Sequence, residues 1–168
     1  MNTIEVVFVG GMVEGSMEAA SEAIEKIGFK ADFMGYMPVP RSIILPNGQV
    51  DGEAFLRNMP GPERGIRRVY LLNNDATVKG LNFVFGVASK TLGVCFVALP
   101  RLMLPPEDLF QERLRKEILH ELGHTFGLTH CPNPYCVMRF SNSLMEVDAK
   151  SEAFCRTCLE KLKNAQKL

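Results

Sequence analysis

Residues 120–138 read HELGHTFGLTHCPNPYCVM, and they hold every histidine of the chain: His120, His124 and His130. Three histidines scattered at random over 168 residues would take the spacing H-x3-H-x5-H on the order of once in 5,000 sequences. A metal site is the reading to test against chain geometry. His120 and His124 are four apart, so on a helix they share a face, one turn from each other. Glu121 lies between them around the helix, badly placed to ligate the same ion but well placed to bond a water held by it. His130 is six residues beyond His124. In a continuous helix that step rotates by about 240° and rises by about 9 Å, which would turn His130 away from the ion. The helix must break, and Gly127 is where it can, because glycine tolerates the left-handed conformation that ends helices.

Three neutral imidazoles leave a fourth tetrahedral position open, which is the arrangement of a catalytic zinc and not of a closed structural one. Glu121 is then the general base that takes a proton from the attacking water and later passes it to a leaving amine. The competing reading is a cluster of hydrogen-bonded core histidines.

Outward from this stretch, the cysteines form two short-spaced pairs, Cys131-x4-Cys136 and Cys155-x-x-Cys158. The first is a loop stiffened by Pro132 and Pro134, and the second spans one helical turn. Four cysteines in this pattern suit a structural zinc that staples the last helix to the loop carrying His130. The alternative is two disulfides. The N-terminus, MNTIEVVFVGGMVEG, shows neither a basic n-region nor a long apolar core, and no segment approaches the ~20 apolar residues of a membrane span. The expectation is therefore a cytoplasmic protein, where reducing conditions favour metal over disulfides. Cys95, within VCFVAL, reads as a buried core residue.

The chain has the length of one domain, 46% apolar residues and equal numbers of basic and acidic side chains. A neutral chain offers no electrostatic reason to expect a nucleic-acid or membrane partner. The run PERGIRR, with Arg64 and Arg68 at its basic ends, reads as a solvated turn leading into a strand. Residues 4–9 form a buried strand. Val13, Met17, Ala20, Ile24 and Ile27 recur at helical spacing, and Gly28 stops that helix. A second strand is expected at 31–38, a short helix at 51–59, and strands at 67–74, 82–89 and 93–100. The last two are close enough for an antiparallel hairpin across residues 90–92, while the strand–helix–strand opening suggests a parallel start to the same sheet. Pro105 and Pro106 open the helix whose core stripe is Phe110, Leu114, Ile118, Leu122 and Phe126. A last helix is expected at 151–165.

H-E-x-x-H-x-x-G-x-x-H followed by a downstream methionine resembles the metzincin metalloproteases. The continuation through Cys131, Cys136 and Met138 to Cys155-x-x-Cys158 is similar to the archaemetzincin family, as are GQVDGEAFL (48–56) and GLNFVFG (80–86). The resemblance implies an α/β, zincin-like fold. Its parts are a twisted mixed sheet with an antiparallel edge strand, flanking helices, an active-site helix and a small C-terminal subdomain. The expected division is residues 1–127 above the cleft and 128–168 below it. It implies a zinc-dependent peptidase with two zinc ions per chain. His120, His124 and His130 would hold the catalytic zinc, with Glu121 as base and acid. Cys131, Cys136, Cys155 and Cys158 would hold the structural zinc. Met138 would pack beneath the histidines, and a peptide or protein substrate would lie extended along an edge strand within 82–89. Certain metzincins carry a tyrosine two residues after the turn methionine. Here Phe140 stands there and Tyr135 is out of register, so no tyrosine is assigned to the site. A monomer is expected. The alternative function is a metzincin-like binding module with little or no proteolysis, and a third reading makes the four-cysteine module the main business, mediating protein contacts.

Overall fold

The computed structural model describes residues 2–166. Its central sheet has strands β1 (Thr3–Val9), β2 (Lys30–Met37), β4 (Arg67–Leu72), β6 (Gly86–Ser89) and β7 (Val94–Ala98), in the order β2-β1-β4-β7-β6. The first four strands in that order are parallel, and β6 closes one edge antiparallel to β7. A two-stranded parallel ribbon of β3 (Val50–Asp51) and β5 (Ala76–Thr77) lies outside this sheet. The helices are α1 (Ser16–Lys26), α2 (Gly52–Asn58), α3 (Phe110–Thr125), α4 (Leu144–Ala149) and α5 (Arg156–Gln166).

The continuous apolar runs follow from burial on both faces. Ile4, Val6 and Phe8 of β1 meet α1 and α3 on one side, while Val7 and Val9 join Phe55 of α2 on the other. The expected stripe of α3, Phe110 to Phe126 in steps of four, is buried throughout. Leu128, Val137, Met138, Val147 and Leu162 belong to the same core, so the segment after Gly127 packs onto the body of the domain.

Four sequence-based expectations need correction. The strand at 82–89 begins only at Gly86, because Val84 turns away to bridge Ala76 and Gln49 holds the Asn82 carbonyl at 2.9 Å. The helix expected to open at Pro105 starts at Phe110, after a 3-10 turn over Glu107–Leu109. The last helix starts at Arg156 and not at residue 151, because Ser151 and Ala153 are engaged by the backbone of Tyr135 and Val137. Cys155 thus stands just before the helix that carries Cys158. Finally, the arginines of PERGIRR are not all solvated: Arg67 lies 3.6 Å above the Phe126 ring, and Arg68 pairs with Glu5 at 2.7 Å. Helix α4 was not anticipated. Its signal was present as Ser143-x-x-Glu146, a capping box in which Ser143 Oγ accepts from the Glu146 amide.

Candidate active site and metal centres

Helix α3 supplies the first two histidines from its last turns, then ends as the spacing demands. Gly127 has φ +95°, its amide donates to the His124 carbonyl, and the Leu128 amide donates to the Gly123 carbonyl at 3.0 Å. This paired 6→1 and 5→2 pattern is a Schellman cap. The chain reverses there and brings His130 back, so that one ring nitrogen from each of His120, His124 and His130 lies within 4.8 Å of the others.

Two imidazoles sharing a zinc at its usual 2.0–2.1 Å bond length stand about 3.3 Å apart. His120 Nε2 and His124 Nε2 are separated by 3.2 Å. Their other nitrogens are committed elsewhere: Nδ1 of His120 donates to the Val137 carbonyl and Nδ1 of His124 to the Leu128 carbonyl, both at 2.8 Å. A carbonyl only accepts, so Nδ1 carries the proton and Nε2 keeps its lone pair for a metal. Burial holds His120 well below the ordinary imidazole range, and it lowers His124 and His130 as well, which favours the neutral ligating form.

Glu121 sits in the wall of the same cleft, a cavity of about 580 Å³ also lined by Phe83, Phe85, Gly86 and Phe140. Burial pushes its carboxyl well above the ordinary range, the charge of Glu117 adds to the rise, and Lys150 opposes it. Glu117 is itself buried and pairs with the wholly buried Lys150 at 2.9 Å. Phe140 covers His130, with ring centroids 5.1 Å apart.

Sequence reading missed several groups that shape this site. Gly86 leaves room for Glu121: a Cβ there would stand 2.9 Å from Glu121 Cγ. Gly123 does the same for Met138, whose sulfur occupies the space a side chain would take. Met138 is fully buried, and its carbonyl accepts from the Cys131 amide at 3.0 Å, which ties the turn to the second cluster. Glu117, four residues before Glu121, was legible as a second acidic position on one helix face. Its partner Lys150 was not.

In that second cluster, sulfur atoms of Cys131, Cys136, Cys155 and Cys158 lie within 4.8 Å of one another. All five cysteines are free, and four thiols gathered in one cluster suit a shared ion better than two separate disulfides. Four thiolates around zinc at ~2.3 Å stand about 3.8 Å apart. Cys131 Sγ and Cys155 Sγ are 3.8 Å apart. A hydrogen bond involving Cys158 leads the effects that lower the Cys155 thiol, to about 7, near a thiolate at neutral pH, whereas burial raises Cys136 and Cys158. Such a set of thiols settles as thiolates when a cation balances it. Cys95 is fully buried in β7 and burial pushes its thiol up, in keeping with a core role.

Residues 63–164, more than half of the chain, match the family profile described as Peptidase family M54. The chain belongs to peptidase family M54. Membership makes it a zinc metallopeptidase. It is 50% identical over 175 aligned positions to the archaemetzincin of Pyrococcus furiosus, covering 95% of this chain and 91% of that protein. With the archaemetzincin of Methanopyrus kandleri it shares 48% identity over 116 positions, 68% of this chain and 66% of that one. The crystal structure of an archaemetzincin from Methanopyrus kandleri superposes with TM-score 0.88 at 35% identity, over 99% of this chain and 96% of that chain. The archaemetzincin from Archaeoglobus fulgidus, solved with malonate, gives 0.85 at 31% identity over 95% and 99%. The M54 fold accounts for the mostly parallel twisted sheet with its antiparallel edge strand. No described helix is long and apolar enough to cross a membrane.

Proposed function

We propose that the cleft hydrolyses peptide bonds with one zinc held by His120, His124 and His130, and that a second zinc on Cys131, Cys136, Cys155 and Cys158 is structural. When bound at the histidines, zinc supplies a Lewis acid that makes water acidic near neutral pH and polarises a carbonyl. The convergence of Nε2 atoms whose Nδ1 partners are fixed, with Glu121 in the same cleft, is the observation that carries this reading.

Each further part is assigned to the chain's own groups. A Glu121 Oε accepts the proton of the attacking water and hands it to the departing amine nitrogen, returning to its starting state. A carboxyl whose affinity for protons is raised by burial is suited to hold that proton between the two steps. Strand β6 holds the substrate. The Ala98 amide donates to the Phe85 carbonyl, so Phe85 faces β7 and, by strand alternation, Gly86 and Ala88 turn their backbone groups to the open edge. An extended peptide can pair there. Phe140 provides no ligating atom and serves as an apolar cover over His130.

The test is digestion of a diverse peptide mixture, read by mass spectrometry, with zinc-loaded wild type beside Glu121→Gln. Cleavage by wild type alone, with the variant reduced by about 10²–10⁴-fold, is expected. Equal cleavage by both variants, or none by the wild type with zinc present at the histidines, overturns the proposal.

A further inference from the structure

Away from Gly127, the cleft carries polar groups that the hydrolytic reading leaves unused. Glu117, Ser141 and Asn142 line it together with the rings of Phe83, Phe85 and Phe140. Ser141 is 9% exposed, and its Oγ has no hydrogen-bond partner among the described residues. Buried hydroxyls are rarely left unmatched, so a hydroxyl stranded in a cavity wall points to a group that arrives with a ligand. Lys150 links this serine to Glu117: its ammonium pairs with Glu117 at 2.9 Å and donates to the carbonyl of Arg139, two residues before Ser141, at 3.2 Å.

The inventory of these groups defines what they would accept. The Glu117 carboxylate and the Ser141 hydroxyl both accept hydrogen bonds, and the ammonium of Lys150 is already engaged. The Ser141 hydroxyl can donate as well as accept, and the exposed Asn142 amide offers both, but an incoming donor is the one group that Glu117 and Ser141 can accept together. Lys150 already balances the charge of Glu117, and the three histidines form a cation site in the same cavity. A second mobile cation gains little there, and a neutral donor is favoured. The aromatic rings suit an apolar body behind that donor.

Position along the substrate follows from strand direction. Gly86 lies against Glu121 and Lys90 against Gly127, so β6 and α3 run the same way. A peptide that pairs with β6 antiparallel, as β7 does on its other side, would run from Lys90 towards Phe83. The residue that follows the scissile bond falls towards Glu117, one turn before His120.

We propose that Ser141 and Glu117 select, immediately after the scissile bond, a neutral side chain with an apolar body and a hydrogen-bond donor at its tip, such as tyrosine or glutamine. This rests on the peptidase reading above, and it concerns which peptides enter the cleft.

Binding is measured by fluorescence anisotropy on the zinc-loaded Glu121→Gln protein, which holds peptides without turnover. The probes are short labelled alanine-based peptides that differ at one position: tyrosine against phenylalanine, glutamine against leucine, and lysine. The tyrosine and glutamine peptides should bind about ten-fold more tightly than their partners without a donor, the size expected for one hydrogen bond to a buried acceptor. Adding Ser141→Ala should bring both ratios close to one, with the circular dichroism spectrum unchanged. Glu117→Gln should also lower them, and because it leaves Lys150 unpaired, Ser141→Ala carries the decision. Equal binding of tyrosine and phenylalanine peptides, no binding of either, ratios untouched by Ser141→Ala, or tightest binding of the lysine peptide would each overturn the proposal. Sequencing the products of wild-type cleavage places the preferred residue; a preference before the bond overturns the assignment. Failure of wild type to cleave, with the binding preference present, counts against the peptidase reading alone.

Discussion

The histidine cluster and the cysteine cluster meet at the peptide bond between His130 and Cys131, yet their surroundings give them different tasks. The histidines open onto a cleft, and His130 is exposed. Two of the three ride on the end of a long helix whose apolar stripe is buried in the main core, so that most of the site would stand without any ion. The cysteines join α5, which buries only Cys158 and Leu162, to a loop whose Val137 and Met138 are already part of the main core. On the proposed reading, an ion among the cysteines would supply the packing that α5 lacks, and an ion among the histidines would add chemistry to packing that already exists. Adjacency in sequence does not decide which role a metal takes; the stability of the scaffold around it does.

The largest expected effect tests the cysteine half of that contrast. Cys158→Ser should lower unfolding stability by several kcal/mol, on the order of what a structural zinc contributes beyond a small core. Removing the histidine-bound ion by His124→Ala should move the denaturant midpoint far less. Equal losses would erase the distinction between the two clusters.

Next comes the buried pair beneath the histidines. Lys150→Met strands Glu117 and should cost about 3–5 kcal/mol, read by chemical denaturation. Lys150→Met with Glu117→Gln should recover part of that loss, since the uncompensated charge is then gone. Failure of the double variant to recover would mean that Lys150 acts through packing alone.

A smaller effect is expected at Gly123→Ala. The added Cβ falls on the Met138 sulfur, and overpacking of this kind costs about 1–3 kcal/mol. Because the neighbouring Val137 carbonyl holds His120, zinc affinity at the histidines should fall while the metal content of the cysteine cluster is unchanged, as read by competition with a chelator.

The smallest effect lies outside both clusters. Burial raises the Asp75 carboxyl, but hydrogen bonds from Arg101 and Gln49 outweigh it and leave it below the usual range. Glu152 is likewise raised by burial and lowered further by Arg115 and Lys26. Both have folded-state pKa values below their unfolded ones, so their stabilisation is present above the unfolded values of about 4 and is lost as pH falls through and below them. Arg101→Leu should flatten the acid limb of a plot of unfolding midpoint against pH. An unchanged limb would remove Asp75 from the account.

Much of this protein was legible before any coordinates. His120 and His124 share a face because helix geometry repeats every 3.6 residues, and Gly127 ends the helix because glycine can take the required φ. The strands of the core could be read because apolar runs of that length need burial on both faces. The missed elements had a different origin. Strand β6 is shorter than its apolar run because Gln49 and Ala76 compete for residues 82–84. Helix α5 starts late because Tyr135 and Val137 capture the residues before it.

The sequence by itself determined the spacing of the candidate metal ligands, the break after α3 and the paired cysteines, since each depends on backbone geometry within one or two turns. Only the tertiary structure decided that Lys150 answers Glu117, that Gly86 and Gly123 make room for Glu121 and Met138, and that the Val137 and Leu128 carbonyls orient His120 and His124. Most of those contacts join residues far apart in the chain. Which buried charge meets which partner is set by how whole segments pack, and that information is spread over every residue of the core.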